Sequence, residues 1–288
     1  MDKKNIELFK TVSEKAIKEY KNLNQLKKGK IKILGISGSA RDELDMAQEK
    51  SNSEELLETA LAELKKLGAE VELIKLRDYK IGYCKACYST CNTQCHFYCT
   101  CYAKNTPLAD DMTNKLYDKI LGADGIIFAT PVNNFSVSTL MKTFLDRCIS
   151  LDGSLSPANP KMPKDKNLKR EHMKYIKETA NKDKPETGML RRFSGKVAGI
   201  ITTGHEEGTS MAISSLFMTL NHFGMLFPPF SNMYAMSSYK NSTFEDKTIT
   251  LSESYKEEAK MIAKNVLLGI KATRNMKPFD WKYDCRLN

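Results

Sequence analysis

The feature that most constrains this chain is an alternation of two patterns. Short apolar runs stop at Gly, Ser, Thr or Pro, and each is followed by a stretch with helical spacing. "IKILGIS" (31–37) halts at Gly38, and a helix opens after Ser51 whose Leu56, Leu57, Ala60, Leu61, Leu64 and Leu67 fall on one face. Ser51 and Glu54 have the spacing of a capping box for that helix. "AEVELIKL" (69–76) is the second strand, "DDMTNKLYDKILGA" (110–123) a helix, "DGIIFATP" (124–131) the third strand and "SVSTLMKTFLDRCI" (136–149) a helix. After an insertion come the strand "KVAGIITT" (196–203), the helix "TSMAISSLFMTLNHFG" (209–224), a short strand around "MLFPPF" (225–230) and a last helix from Glu253 to Ile270. Strands this apolar are buried on both faces, and the helices between them are the crossovers of a parallel sheet.

Five strands in this sequence suit an α/β, flavodoxin-like, doubly wound five-stranded parallel sheet of order 2-1-3-4-5. Ahead of it, Ile6, Phe9, Val12, Ala16, Ile17, Tyr20 and Leu23 mark an amphipathic helix within residues 1–30. The main domain is expected over 31–275, with a cysteine-rich segment at 82–109, an insertion at 151–192 and a tail at 276–288. We read the insertion as a solvated Lys-rich loop with one short helix, the alternatives being a lid or an oligomer contact. The first helix and the tail "KPFDWKY" each carry more apolar surface than a lone domain needs, so a homo-oligomer, dimer or tetramer, is expected. Packing of both within the chain is the alternative.

A net charge of +10 raises the question of nucleic acid, but the lysines are spread among Glu and Asp, so no nucleic-acid partner is expected. No run approaches the ~18 apolar residues of a membrane span, and no membrane partner is expected. The opening "MDKKNIELFKTVSEK" lacks the apolar core of a signal peptide, which points to a cytoplasmic location. In that reducing setting, clustered cysteines are metal-binding or redox-active more often than bridged.

In open parallel sheets ligands bind beyond the carboxyl ends of the strands, where strand order reverses. Three loops lie there. The first, "SGSARDELDMAQEKSNSEE", offers Ser37, Ser39, Arg41, Ser51, Asn52 and Ser53, with backbone N–H groups and a helix start, to a phosphate. It is neither a G-x-G-x-x-G nor a Walker loop, and an ordinary strand-to-helix turn with a Ser cap has the same look. The second, "TPVNNFSVS", could set backbone amides and Phe135 against a flat ring, or be a Pro-Asn turn with Phe135 packed inward. The third, "TTGHEEGTS", brings Thr203, Gly204, His205 and Gly208, the histidine being either a donor at a ring or a solvated loop residue.

Read together, "ILGISGSAR", the helix start "SNS", "CKAC", "DDM", "ADGIIFATPVNNFSVSTLMKTFLDR" and "GKVAGIITTG" resemble the NAD(P)H-dependent FMN reductase group of flavodoxin-like proteins, and within it the iron-sulfur flavoproteins. The resemblance covers residues 31–150 and 195–230. It implies FMN, with its phosphate on Ser37, Ser39, Ala40, Arg41, Ser51, Asn52 and Ser53. It implies the isoalloxazine against Pro131, Val132, Asn133, Asn134, Phe135, Ser136, Thr203, Gly204, His205 and Gly208. Three departures stand out: Asp42 to Lys50 are inserted before "SNS", the aromatic of the third-strand loop is replaced by Asn133 or shifted to Phe135, and the segment Leu151 to Arg192 is longer than expected.

Six of the eight cysteines, Cys84, Cys87, Cys91, Cys95, Cys99 and Cys101, fall in "GYCKACYSTCNTQCHFYCTCY". As one helix, their first five would lie on an arc of ~120° but spread over ~22 Å, too far apart for one metal centre. Tyr, Ser, Thr and Asn are poor helix formers, so the segment is expected to curl instead. Thiolates at C-x₂-C spacing hold iron-sulfur clusters or zinc. The resembling iron-sulfur flavoproteins carry their cysteine motif at this place, which favours a 4Fe-4S cluster over zinc or free, redox-switching thiols. Cys84, Cys87 and Cys91 are the first candidate ligands, and the fourth is Cys95, Cys99 or Cys101. Cys148, Cys285 and His96 are read as bystanders.

The expected activity is electron transfer between a reduced donor (NAD(P)H or ferredoxin), FMN and a cysteine-bound cluster, with no catalytic nucleophile. The alternatives are an NAD(P)H-dependent flavin or quinone reductase with zinc or free cysteines, and a non-catalytic flavodoxin-like binding module.

Overall fold

The computed structural model describes residues 1–42, 44–46, 48–89, 94–180, 190–205, 208–237 and 243–281, with backbone alone at 243–246. Along the chain run α1 (Lys3–Leu23), β1 (Lys32–Ser37), α2 (Asn52–Lys66), β2 (Glu70–Lys75), α3 (Tyr117–Gly122), β3 (Gly125–Asn133), β4 (Ser136–Val137), α4 (Thr139–Cys148), β5 (Asp152–Ser154), α5 (Lys166–Thr179), β6 (Leu190–Arg191), β7 (Val197–His205), α6 (Gly208–His222), β8 (Asn232–Ser237), α7 (Thr243–Thr250) and α8 (Glu253–Thr273). The main sheet has the order β2-β1-β3-β7-β8, all parallel, which is the flavodoxin-like winding 2-1-3-4-5. β4 adds only an antiparallel hairpin to the end of β3. Leu56, Leu57 and Leu64 of α2 join Ile262 and Val266 of α8 over one face, while Phe144 of α4 and Leu216 of α6 cover the other.

Three local expectations change. The strand placed around 225–230 begins instead at Asn232; Leu226 makes only an isolated bridge to Val197. Pro228 and Pro229 carry no N–H for a ladder, so regular pairing starts beyond them. The helix at 110–123 is wound as a π-helix over Met112–Leu116 before α3. Ser51 is the N-cap residue of α2 but makes no capping-box exchange with Glu54, whose carboxylate is taken by Arg77, Lys75 and Ser37.

α1 finds its partner within the chain. Phe9 stacks on the ring of His172 in α5 at 4.8 Å, Val12 and Ala16 pack with Leu155, Ile176 and Leu190, and Glu19 takes both arms of Arg192 at 2.6 and 2.8 Å. Tyr20 meets Phe279 of the tail at 4.8 Å. The buried face of α1 and Phe279 of the tail are thus covered intramolecularly, while Trp281 is exposed. The insertion carries β5, α5 and β6, with β5 and β6 paired antiparallel. Among the described residues no helix is long and apolar enough to cross a membrane.

Candidate functional site

A cavity of about 310 Å³ opens at the carboxyl ends of β1, β3, β7 and β8. It lies where the winding reverses, because crossovers leaving β1 and β3 in opposite directions part their loops there. The loop after β1 supplies Ser39, Ala40 and Arg41, and the start of α2 supplies Ser51 and Asn52. This loop is pinned from behind: the Gly38 N–H donates to the Ala129 carbonyl at 2.8 Å, and the Ser138 hydroxyl donates to the Gly38 carbonyl at 2.5 Å. A Cβ at Gly38 would lie 2.9 Å from that of Met141, so only glycine permits the approach.

Beneath the loop sits a buried carboxylate. Glu54 is fully buried and accepts from the Ser37 hydroxyl at 2.9 Å, from Arg77 Nη1 at 2.6 Å and from Arg77 Nη2 at 3.0 Å, with Lys75 at 2.9 Å. Burial pushes its pKa up, but the bonds from Arg77, Lys75 and Ser37 outweigh burial and hold it at about 2. Ser37 is therefore a support for the loop, and Ser53 is likewise buried, at 2.9 Å from Ser51 Oγ.

β3 runs on to Asn133 and turns back through β4, placing Pro131, Val132 and Asn133 on the cavity. Asn134 and Phe135 form the turn with φ of 48° and 62°; Phe135 is exposed. Neither they nor Ser136 line the cavity, among the described residues. The far wall is Thr203, Gly204 and His205 at the end of β7, with a hydrogen bond of 3.1 Å between His205 Nδ1 and the Ser237 hydroxyl of β8. Gly208 does not line it; it packs against Val132.

Sequence reasoning missed Glu49, Ser237, Lys247 and Thr250 of the lining. Ser237 ends the strand that was placed too early, so the same carboxyl-end rule finds it once β8 is positioned. Lys247 and Thr250 lie on α7, which the sequence reading left out. The Asn52 side chain donates to Thr250 Oγ1 at 2.5 Å, joining α7 to the start of α2.

The cysteine segment has another construction. It follows β2 as coil, with single 3₁₀ turns at Cys87–Ser89 and Thr100–Tyr102, so among the described residues the long helix is absent and the segment curls. Cys91 and Cys285 lie outside the described residues. The sulfurs of Cys87 and Cys101 stand 3.2 Å apart, and Cys101 also bonds Cys99. Hydrogen bonding by Cys101 brings the Cys87 and Cys99 thiols down to about 6, while Cys101 itself is pushed up by the same two partners. Cys84 is raised by burial and accepts from the Ala86 N–H at 3.4 Å. Cys95 is pushed up to about 12 by burial and points at the His96 carbonyl, 3.8 Å away. His96 is held neutral by burial, its pKa brought down to about 3, with Nδ1 3.0 Å from the Thr100 hydroxyl. Among the described residues no group of three or more His, Cys, Asp or Glu side chains is arranged to hold a metal ion.

Both ends of this segment meet at Arg147, which sequence reasoning missed. Its side chain is almost fully buried, forms an ion pair with Asp110, donates to the Gly82 carbonyl at 2.8 Å and lies 4.1 Å over the Tyr102 ring. Asp110 in turn accepts from the Gly82 N–H at 2.9 Å, and the Tyr102 hydroxyl donates to the Tyr83 carbonyl at 2.8 Å. "DDM" and "FLDR" each contributed one half of this pair to the sequence pattern, but nothing in the spacing joins them.

Residues 31–165 match the model of the NADPH-dependent FMN reductase family. Over these residues the core is similar to that family. Two curated relatives are iron-sulfur flavoproteins. One, from Archaeoglobus fulgidus, is 33% identical over 119 residues, 41% of this chain and 46% of its own. The other, from Methanosarcina thermophila, is 31% identical over 121 residues, 42% and 54% of the two chains. The chain spans about half the length of the curated relatives it matches. Among solved structures, RosB with bound 8-demethyl-8-formylriboflavin-5'-phosphate superposes with a TM-score of 0.57 at 16% identity, over 85% of this chain and 80% of that one, a likeness of fold.

The lining of this cavity combines hydroxyls, amides and charged groups with residues of three strand ends, the mixture a phosphorylated flavin requires. Ser39, Arg41, Ser51, Asn52 and Lys247 line it together with the Glu49 carboxylate, and Pro131–Asn133 and Thr203–His205 complete the lining. Its volume falls in the range of small-molecule sites. The residues present fit the group.

Proposed function

We propose that this chain is an FMN-dependent oxidoreductase that draws electrons from NAD(P)H. The observation that carries this reading is the cavity at the winding reversal of a core similar to the FMN reductases, lined by Ser39, Asn52 and Lys247 and by the ends of β3 and β7. Ser39, Asn52 and Lys247 would hold the phosphate; Pro131, Val132, Asn133, Thr203, Gly204 and His205 would hold the ring system and keep bulk water from it. Bound FMN would supply the exchange between two-electron and one-electron steps. Titration of apoprotein with FMN and with riboflavin tests this. Tighter binding of FMN is expected, and equal affinity or none overturns it. Turnover of NAD(P)H with a quinone or with ferredoxin identifies the partner, and no turnover with any of them would leave a non-catalytic binding module.

The finer proposal is that the cysteine segment holds an iron-sulfur cluster. Support comes from the iron-sulfur flavoproteins among its relatives and from the convergence of Cys87, Cys99 and Cys101. Cys84, Cys87, Cys91 and Cys101 are the ligand set we favour, Cys101 because it stands beside Cys87. Iron with acid-labile sulfide in anaerobic protein is the expected result. A second reading has its own observation: 3.2 Å between Cys87 and Cys101 is shorter than the ~3.8 Å that two thiolates keep on tetrahedral zinc, so as placed these are thiols in contact. Metal-free protein with those thiols titratable would establish a flavin or quinone reductase with free cysteines, and zinc without sulfide a structural clasp. A homo-oligomer stays in the proposal, now on the exposed Met211 and Phe217 of α6. Light scattering over a concentration series checks it.

A further inference from the structure

A second cleft, of about 700 Å³, is lined in part by the cysteine segment, at Tyr88, Gln94 and Cys95. Among the described residues it shares no wall with the cavity at the strand ends. Its sides come from the end of α4 and the turn after it (Leu145, Ile149), from Met173 of α5 and from Met218 of α6, with Phe223 just beyond. Two thioethers and a phenyl ring make a wall suited to the face or edge of an aromatic ring.

The polar groups narrow the class. Gln94 lines the cleft and is 3% exposed; its amide nitrogen lies 3.4 Å from His172 Nδ1, and its Oε1 has no partner. A buried amide carbonyl without a donor is unfavourable, and a ligand hydroxyl relieves it. Asp146 and Asp152 stand on the same cleft. Asp146 is held by Lys142 at 2.6 Å, and Asp152 by Arg191 at 3.2 Å with His222 at 3.7 Å. Two carboxylates already matched to cations leave a rim that disfavours anionic ligands and has no charge to offer a strong cation. A neutral, flat ring bearing hydroxyls meets every one of these conditions.

We infer that this cleft is a second small-molecule site, for a hydroxylated aromatic ring of the hydroquinone class, with Gln94 accepting a ring hydroxyl and Met173, Met218 and Phe223 enclosing the ring. The inference concerns binding and stands independently of the flavin reading.

The probe is tetramethylhydroquinone, whose four methyl groups leave no ring position for addition of a cysteine. Anaerobic calorimetry on the full chain with saturating FMN should show one site per chain. Met218→Trp, at a position 71% exposed, fills the cleft with little demand on folding and should weaken binding about tenfold. Gln94→Leu should weaken it to a similar extent. FMN affinity should not move in either variant. Absence of binding at millimolar probe, or binding unchanged in Met218→Trp, overturns the proposal even if Gln94→Leu fails to fold. Competition between probe and FMN on apoprotein would also overturn it, by placing the ring at the strand ends. If FMN itself does not bind, the same titration without it still decides the cleft.

Discussion

The strand-end cavity and the cysteine segment sit on one core but are held by different forces. The walls that leave β1, β3, β7 and β8 stand on strands whose register is fixed by their neighbours: Ser37 stands opposite Ala129, Thr130 opposite Thr202, and Thr203 opposite Ala235. Backbone hydrogen bonds carry that geometry, so it depends little on any one side chain. Residues 82–102 touch the ladder system, among the described residues, only through the bridge of His96 to Leu155. Their shape rests on side chains, and above all on the Arg147–Asp110 pair. A site built on a sheet is robust to substitution, and one built on a buried ion pair is not.

Removing Arg147 should therefore have the largest effect. Arg147→Leu leaves the Asp110 carboxylate buried without its cation and is expected to destabilise the chain by about 3–5 kcal/mol, read from the urea midpoint. Where the variant still folds, its thiols should label faster while FMN affinity stays within about threefold. Wild-type stability in this variant would erase the contrast between the two regions. Recovery in Arg147→Leu/Asp110→Leu would sharpen it, since both charges are then gone.

The cavity has its own buried charge, and acid reads it. The folded pKa of Glu54, about 2, is below its ordinary value of 4.5, so its contribution is complete above pH 4.5 and is lost as pH falls through 2. The difference corresponds to about 3 kcal/mol. Glu54→Gln should lower stability at neutral pH and flatten the acid limb of the profile. An unchanged slope of stability against pH between 4.5 and 2 would show that Arg77 and Lys75 do not hold this carboxylate as described.

Smaller again is the effect on phosphate recognition. Lys247 Nζ lies 3.6 Å from Glu55 and 3.8 Å from Glu49, so part of its charge is already engaged. Lys247→Met should weaken FMN about tenfold and riboflavin much less. Equal losses for both would move the phosphate elsewhere on the cavity.

What could be read in the sequence follows the same division. Apolar runs ending at Ser37, Pro131 and Thr203 located three cavity walls, because strand period and the carboxyl-end rule are local facts. The fourth wall, Ser237, was misplaced because "MLFPPF" is as apolar as a strand, while its prolines deny it a ladder. Ser37 and Ser53 were hydroxyls of the right kind that the fold turned toward Glu54 and Ser51. The cysteines were evident as a cluster, but which sulfurs meet is decided by Arg147, Asp110 and Gly82, whose meeting depends on tertiary contacts 37 and 65 residues apart. No spacing rule reports such contacts.

The smallest expected effect is the most discriminating for the cysteines. Cys148 follows Arg147 directly in sequence, yet it is 1% exposed, packs in the core among apolar side chains, and burial pushes its thiol well above the ordinary range. Proximity along the chain thus gives it no part in the group around Cys101. Cys148→Ala removes one buried sulfur, and a loss of about 1 kcal/mol is expected from the small cavity left behind. Iron and sulfide content, or the number of thiols that react in the native state, should not change, while the unfolded protein should lose one reactive thiol. Cys101→Ala should do the opposite: little change in the core, but a changed native thiol or metal count, because Cys87 and Cys99 lose their shared partner. If Cys148→Ala altered the metal or the native thiols, α4 and the cysteine segment would be one cooperative site, and the division between a sheet-built cavity and a side-chain-built cluster would have to be redrawn to include the core itself.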